Sequence, residues 1–243
     1  MSVSFVSPLI CCPARLEEIE LADLLVVEPE AQFQPWGKRP QVAVVDPFST
    51  GAVVASYLNA SGADVHAVYS AHLDQLERVQ SLVPAGLQLT FSSITAFSDN
   101  IDEMIRTITL SAPITAVVAG AETGVELADA LSERMGLRSN GTASTSVRRN
   151  KFLMGEAVRA SGLRAVKQLK SSAWGEVESW IAEWNPSPFR VIVKPIDSAG
   201  SDDITLCNSL HEVRQSFGNI LGKVNGLGLV NDAVLVQEYL EGE

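Results

Sequence analysis

Residues 41–46, Gln-Val-Ala-Val-Val-Asp, form an unbroken apolar run that ends on an acid. A β-branched run with no polar alternation fits a strand covered on both faces, as in a parallel sheet. The next residues narrow the choice. The loop PFSTG leads into AVVASYLNASG, which is helical in period and stops at Gly62, a plausible C-cap. ADVHAVYS then reads as a second strand. Strand, helix and strand in this order make a βαβ unit, whose crossover is right-handed.

The unit recurs. SDNIDEMIRTITLSAP reads as a helix stopped by Pro113, ITAVVAG as a strand, and ETGVELADALSERMGL as a helix with Val125, Leu127, Ala128 and Leu131 on its apolar side. Residues 41–140 therefore read as a small doubly wound α/β domain. Such sheets place ligands beyond the carboxyl ends of their strands, where the loops DPFST and GAET fall. RSNGTAST breaks the pattern with turn and cap residues and opens a helix, VRRNKFLMGEAVRASG. From there strands and helices mix: RAVKQLK, WGEVESWIAEW, FRVIVKP, DITLC, SLHEVRQSFGNIL and AVLVQEYL. A hairpin at the glycine loop suggests an α+β region with an antiparallel sheet over 141–243. Residues 1–40 stand apart as an N-terminal extension, in which ADLLVVEPE looks like a short strand.

Composition excludes some functions. A formal net charge of -11 argues against a non-specific nucleic-acid binder, which needs a basic footprint. It does not exclude a phosphate ligand, since a few lysines in a cleft set the local field. No apolar run approaches the roughly 20 residues of a membrane helix. Cys11, Cys12 and Cys207 have neither metal spacing nor a disulfide pattern, which points to a reduced, cytoplasmic setting. His66, His72 and His211 show no spacing for a metal or a triad.

The segment VKPIDSAGSDDITL carries the most chemistry. Pro195 cannot donate to a ladder, so the strand ends or lies at an edge there. Ser198, Ala199, Gly200 and Ser201 keep the loop small, which lets backbone N–H groups converge on an anion. Lys194 adds a compact positive charge suited to phosphate. Taken alone, the segment equally fits a plain hairpin with a solvated lysine. Lys151, in RRNKFLM, taken alone fits a solvated helix lysine, and VLVQEYLEGE fits a sheet strand. Glu122, after VVAGA, has two readings. It complements a helix N-terminus, worth about 0.3–1 kcal/mol, or it contacts an amine or carboxylate substrate at the switch point.

In this order, Lys151, the Lys194 segment and VLVQEYLEGE resemble the motifs of the ATP-grasp superfamily. VVAGAETGVELADALSERMGL resembles the pre-ATP-grasp domain of the same proteins. The resemblance runs from about residue 41 to the end and is nearest to carboxylate–amine ligases of the amino-acid ligase type. It implies a pre-ATP-grasp domain followed by the first lobe of an ATP-grasp domain, with the second lobe absent.

The resemblance also implies roles. Lys151 and Lys194 contact the nucleotide. The loop with Ser198, Gly200 and Ser201 closes over the phosphates. Gln237 C=O and Leu240 N–H meet adenine, Glu238 lies at the same hinge, and Glu243 is a candidate for the ribose. The implied cofactors are ATP and Mg2+, with metal ligands expected beyond residue 243 and none assigned within the chain. The partners are a small-molecule carboxylate and an amine, with no nucleic acid and no membrane, and a homodimer is a permitted assembly. No residue is assigned a catalytic role.

Two departures stand out. The loop has one glycine where many relatives have several. It also carries Asp202 and Asp203, and each carboxylate facing a phosphate at 4 Å would cost about 1 kcal/mol in water and more in a drier cleft. The alternative function is a nucleotide- or small-carboxylate-binding module without turnover. A nicotinamide dehydrogenase ranks below both, because no G-x-G-x-x-G follows the first strand, and no P-loop motif occurs.

Overall fold

The computed structural model describes residues 39–71, 83–84, 86–87, 89–198 and 200–242. The strand expected at ADLLVVEPE, nearly all of the N-terminal extension, Cys11, Cys12, His72, Ala199 and Glu243 lie outside the described residues.

The first sheet is parallel, four-stranded and ordered β3-β2-β1-β4. Its strands are β1 (Gln41–Val45), β2 (Asp64–Val68), β3 (Ser93–Thr95) and β4 (Ala116–Ala119). Side chains alternate across a strand, and β1 uses both faces. Ala43 and Val45 pack with Met104, Ile108 and Leu131 of α2 (Ile101–Thr109) and α3 (Val125–Arg134). Val42 and Val44 pack with Ala55 of α1 (Thr50–Ala60) on the other side. The unbroken apolar run of β1 thus meets helices on both faces. Strand β3 has only three residues and was not legible in the sequence, because SIT offers no period to read.

The close approach of α1 and the end of β1 to the end of β4 depends on two glycines. A Cβ at Gly51 would lie 2.6 Å from Gly120 backbone atoms, and a Cβ at Gly120 would lie 2.6 Å from the Asp46 carbonyl oxygen. Only bare backbone fits at either position.

The sequence suggests one helix over VRRNKFLMGEAVRASG, but the structure makes two. They are α4 (Thr145–Arg149) and α5 (Lys151–Ala160). Asn150 between them is extended, at φ -89° and ψ 114°. Its side-chain oxygen accepts from the N–H groups of Phe152 at 3.1 Å and Leu153 at 3.0 Å. The amide side chain thus competes with the helix ladder and starts a new helix. Lys151 is therefore the first residue of a helix.

The second sheet is antiparallel and ordered β5-β8-β6-β7. Its strands are β5 (Gln168–Ser171), β6 (Val191–Pro195), β7 (Thr205–Cys207) and β8 (Val234–Glu238). One face, with Val191, Val193, Val234 and Val236, packs on α6 (Trp174–Trp184) and α7 (Leu210–Ile220) through Val177, Ile181, Val213 and Phe217. On the other face Leu235, Ala233 and Ile196 meet Phe152 of α5. Strand β7 pairs only with Val191–Val193, so Pro195 meets no β7 partner, as its missing N–H requires. Both sheets belong to one contact unit. Among the described residues no helix is long and apolar enough to cross a membrane.

Candidate functional site

Lys194 stands directly opposite Leu235 in the β6–β8 register, so it shares the face that α5 partly covers. Lys151 opens that helix. Its backbone N–H donates to the Ile196 carbonyl at 3.2 Å, and its ammonium donates to the Ser198 carbonyl. Both lysines are half-buried. Burial pushes each pKa down from its ordinary value, and the Lys151 charge pushes Lys194 down further. Among the described residues neither lysine forms a salt bridge. Two partly desolvated cations thus lie near enough to act on one another, and the Ser198 carbonyl is the acceptor of one of them, an arrangement that an anion would relieve.

The loop after β6 is held from within. Gly200, Ser201 and Asp203 all have positive φ, at 69°, 60° and 51°. Ser198 is buried, and its hydroxyl donates to Asp202 at 2.8 Å. The same carboxylate accepts from the Gly226 N–H at 2.6 Å. Those two donors hold the Asp202 carboxyl below the usual carboxylate range. Asp202 therefore braces the loop against the Gly226 turn, with its charge already engaged.

The end of β8 is tied to the helix that carries Lys151. The Gln237 side chain donates to Gln168 at 2.7 Å, and Gln168 donates to the Phe152 carbonyl at 2.8 Å and to Glu156 at 2.9 Å. A Cβ at Gly155 would lie 2.5 Å from Gln168 Nε2, so a side chain there would push the amide out of these bonds. Gln237 itself lies inside the ladder, in register with Gln168 on one side and Ile192 on the other. The Glu238 carboxylate accepts from Arg164 at 2.6 Å. Leu240, just past the ladder, is exposed.

Glu122 lies in the 3-10 turn Glu122–Gly124 that follows β4. Its carboxylate accepts from Arg149 at 2.6 Å, and its side chain stays 44% exposed. It borders a cavity of about 590 Å3 that Val117, Ala119, Asp129, Arg138 and Arg148 also line. His66 is a buried sheet residue, held between Ser93 at 2.8 Å and Gln41 at 2.9 Å.

The structure thus brings Lys151, Lys194 and Ser198 together, with Glu122 reaching their surroundings through Arg149. It leaves Leu240 and Glu238 at the far end of β8, joined to the lysine helix through Gln237 and Gln168.

No family model matches the chain. In sequence it is 38% identical over 131 residues to dapdiamide A synthase of Enterobacter agglomerans, a match covering 54% of this chain and 30% of that protein. In fold it is similar to the L-amino acid ligase of Bacillus licheniformis, with a TM-score of 0.55, 12% identity, and coverage of 84% of this chain and 45% of the other. It is also similar to an ADP complex of N5-carboxyaminoimidazole ribonucleotide synthetase, with a TM-score of 0.57, 11% identity, and coverage of 84% and 48%. The chain has the fold of the N-terminal portion of ATP-grasp carboxylate–amine ligases. It spans less than half the length of each of these relatives.

Several residues around this site escaped sequence reasoning. Asp46, at the end of β1, is fully buried with φ 57°. Its carboxylate accepts from the Ser70 N–H at 2.9 Å, the Ser70 hydroxyl at 2.5 Å and the Thr123 hydroxyl at 2.5 Å. It thereby fastens the turn that carries Glu122. The signal for it was an acid closing an apolar strand. Arg149 and Asp197, paired at 2.8 Å, gave no signal, because 48 residues separate them. Among the described residues no three His, Cys, Asp or Glu side chains cluster to hold a metal.

Proposed function

We propose that these residues form the nucleotide-facing part of an ATP-dependent, ADP-forming carboxylate–amine ligase. The observation that carries the reading is the Lys151–Lys194 pair, half-buried and with no salt bridge to either among the described residues, beside a small-residue loop. A triphosphate supplies the missing negative charge. The buried setting strengthens that attraction over its value in water.

The chemistry assigned to the complete ligase is attack of a substrate carboxylate on the γ-phosphate of ATP. This gives an acyl phosphate and ADP. An amine then displaces the phosphate and forms the amide. The first step depends on positioning and on neutralising phosphate charge. Lys151 and Lys194 do the neutralising. The Asp202 brace sets the loop, and the β8 end, with Gln237, Glu238 and Leu240, is assigned to adenine. Glu122, partly exposed beside a cavity, is assigned to the amine or carboxylate substrate. Mg2+ would arrive with the triphosphate, and none of the described side chains is assigned to it.

Calorimetric titration with ATP and Mg2+, alongside an ADP-release assay, tests this. Binding that Lys194→Ala weakens supports the nucleotide site, and ADP release in a ligase containing this portion supports the enzyme. Heat without ADP release favours a binding module. Binding that Lys194→Ala leaves unchanged would overturn the assignment.

A further inference from the structure

Arg149 is set apart from its neighbours by burial. Its side chain is 8% exposed, against 31% for Arg148 beside it. One guanidinium nitrogen donates to Glu122 at 2.6 Å, and the other donates to Asp197 at 2.8 Å. The two carboxylates follow strands of different sheets. Glu122 rides on the turn after β4 that Asp46 fastens through Thr123. Asp197 directly precedes Ser198, whose carbonyl holds Lys151. Glu122 and Asp197 also both act on the Lys151 charge.

The cluster holds three cations, Arg149, Lys151 and Lys194, and two carboxylates, Glu122 and Asp197. It has one positive charge in excess. If Arg149 were neutral, the carboxylates would balance the lysines and Lys151 would become their natural partner. A planar guanidinium can serve two acceptors at once in fixed geometry, which an ammonium does less well.

We propose that Arg149 is a positioning residue that holds Glu122 and Asp197 away from Lys151, keeping that ammonium open to an anionic ligand. This rests on the nucleotide site proposed above. The role is electrostatic and local. Arg149 touches no ligand itself. It decides which anion Lys151 meets.

The test compares ATP·Mg2+ with adenosine, which lacks the phosphates, in calorimetric titrations of the whole chain. The variants are Arg149→Met, Arg149→Lys and the triple Arg149→Met/Glu122→Gln/Asp197→Asn, with Lys194→Ala alongside. Arg149→Met is expected to raise the Kd for ATP about tenfold and leave that for adenosine within about twofold. Arg149→Lys should fall between, since it keeps the charge but not the two-ended grip. The triple variant should regain ATP affinity, because the carboxylates competing for Lys151 are gone. A triple variant as weak as Arg149→Met overturns the proposal, as does an equal loss for adenosine, which marks a merely structural residue. If Arg149→Met fails to fold, Arg149→Lys and the triple variant decide the matter. Failure of the nucleotide site looks different: ATP binding is then absent from the unaltered chain, or unmoved by Lys194→Ala, and the role of Arg149 falls with it.

Discussion

Lys151 lies close enough to Lys194 for its charge to lower the Lys194 pKa, and neither ammonium has a carboxylate bonded to it among the described residues. The two charges therefore oppose one another, and a bound anion would offset that repulsion.

Lys194→Ala should weaken ATP binding by about 10- to 100-fold, the loss of one charge-assisted contact. Stability should hardly change, because the substitution also removes a cation repelled by Lys151. Titration calorimetry and a urea midpoint measured on the same sample check both halves.

Binding of ATP should take up protons in the alkaline range where the free lysines titrate. The free lysines have depressed pKa values, and a bound triphosphate raises them by favouring the charged form. The complex then holds more protons than its separate parts, so affinity falls as pH rises from the free-state lysine pKa to the bound-state one. Titrations in buffers of different ionisation enthalpy read the uptake directly. Proton release in place of uptake would contradict the lysine assignment.

Gly120→Ala should destabilise the fold by about 1–3 kcal/mol, in the range of overpacking that the backbone must absorb. The added carbon would stand 2.6 Å from the Asp46 carbonyl oxygen, which is backbone and has nowhere to turn. Denaturant unfolding measures it, and a change within experimental error would show that Gly120 is not seated tightly against the end of β1.

Asp202 should make the loop acid-sensitive. Its folded pKa is depressed by the Gly226 N–H and the Ser198 hydroxyl. Its contribution to stability is therefore complete above the ordinary carboxylate value and is lost as pH falls through the lowered folded value. Asp202→Asn should be less stable than the unaltered protein at neutral pH, and the gap should close on acidification. Amide exchange at Gly226, followed against pH in both proteins, shows whether it does.

Much of the frame was legible because it depends on local pattern. The apolar run at Val42–Val45 needed two helix layers, and the structure supplies them. Pro195 had to close its strand or lie at an edge, and β7 stops short of it while β8 still pairs on the other side. The site was legible only in part. The order of Lys151, Lys194 and the last strand suggested that they meet. Nothing in it showed Arg149 between Glu122 and Asp197, because that contact joins three distant points of the chain. The break at Asn150 was missed for a different reason. No glycine or proline interrupts Val147–Phe152, and only the capping habit of asparagine marks the new start.

That break has a consequence for how the segment tolerates change. Arg149 ends one helix and Lys151 begins another, and the two side chains serve different partners on either side of a single extended residue. Inserting or deleting one residue within a helix turns everything beyond it by about 100°. Either Arg149 would leave its carboxylates or Lys151 would leave the Ser198 carbonyl. A library of single-residue insertions should accept changes in the exposed turn at Ser161–Leu163 and reject nearly all of them at 149–151. The spacing of these three residues is then a fixed word of the sequence, spelled by geometry and read only in one frame.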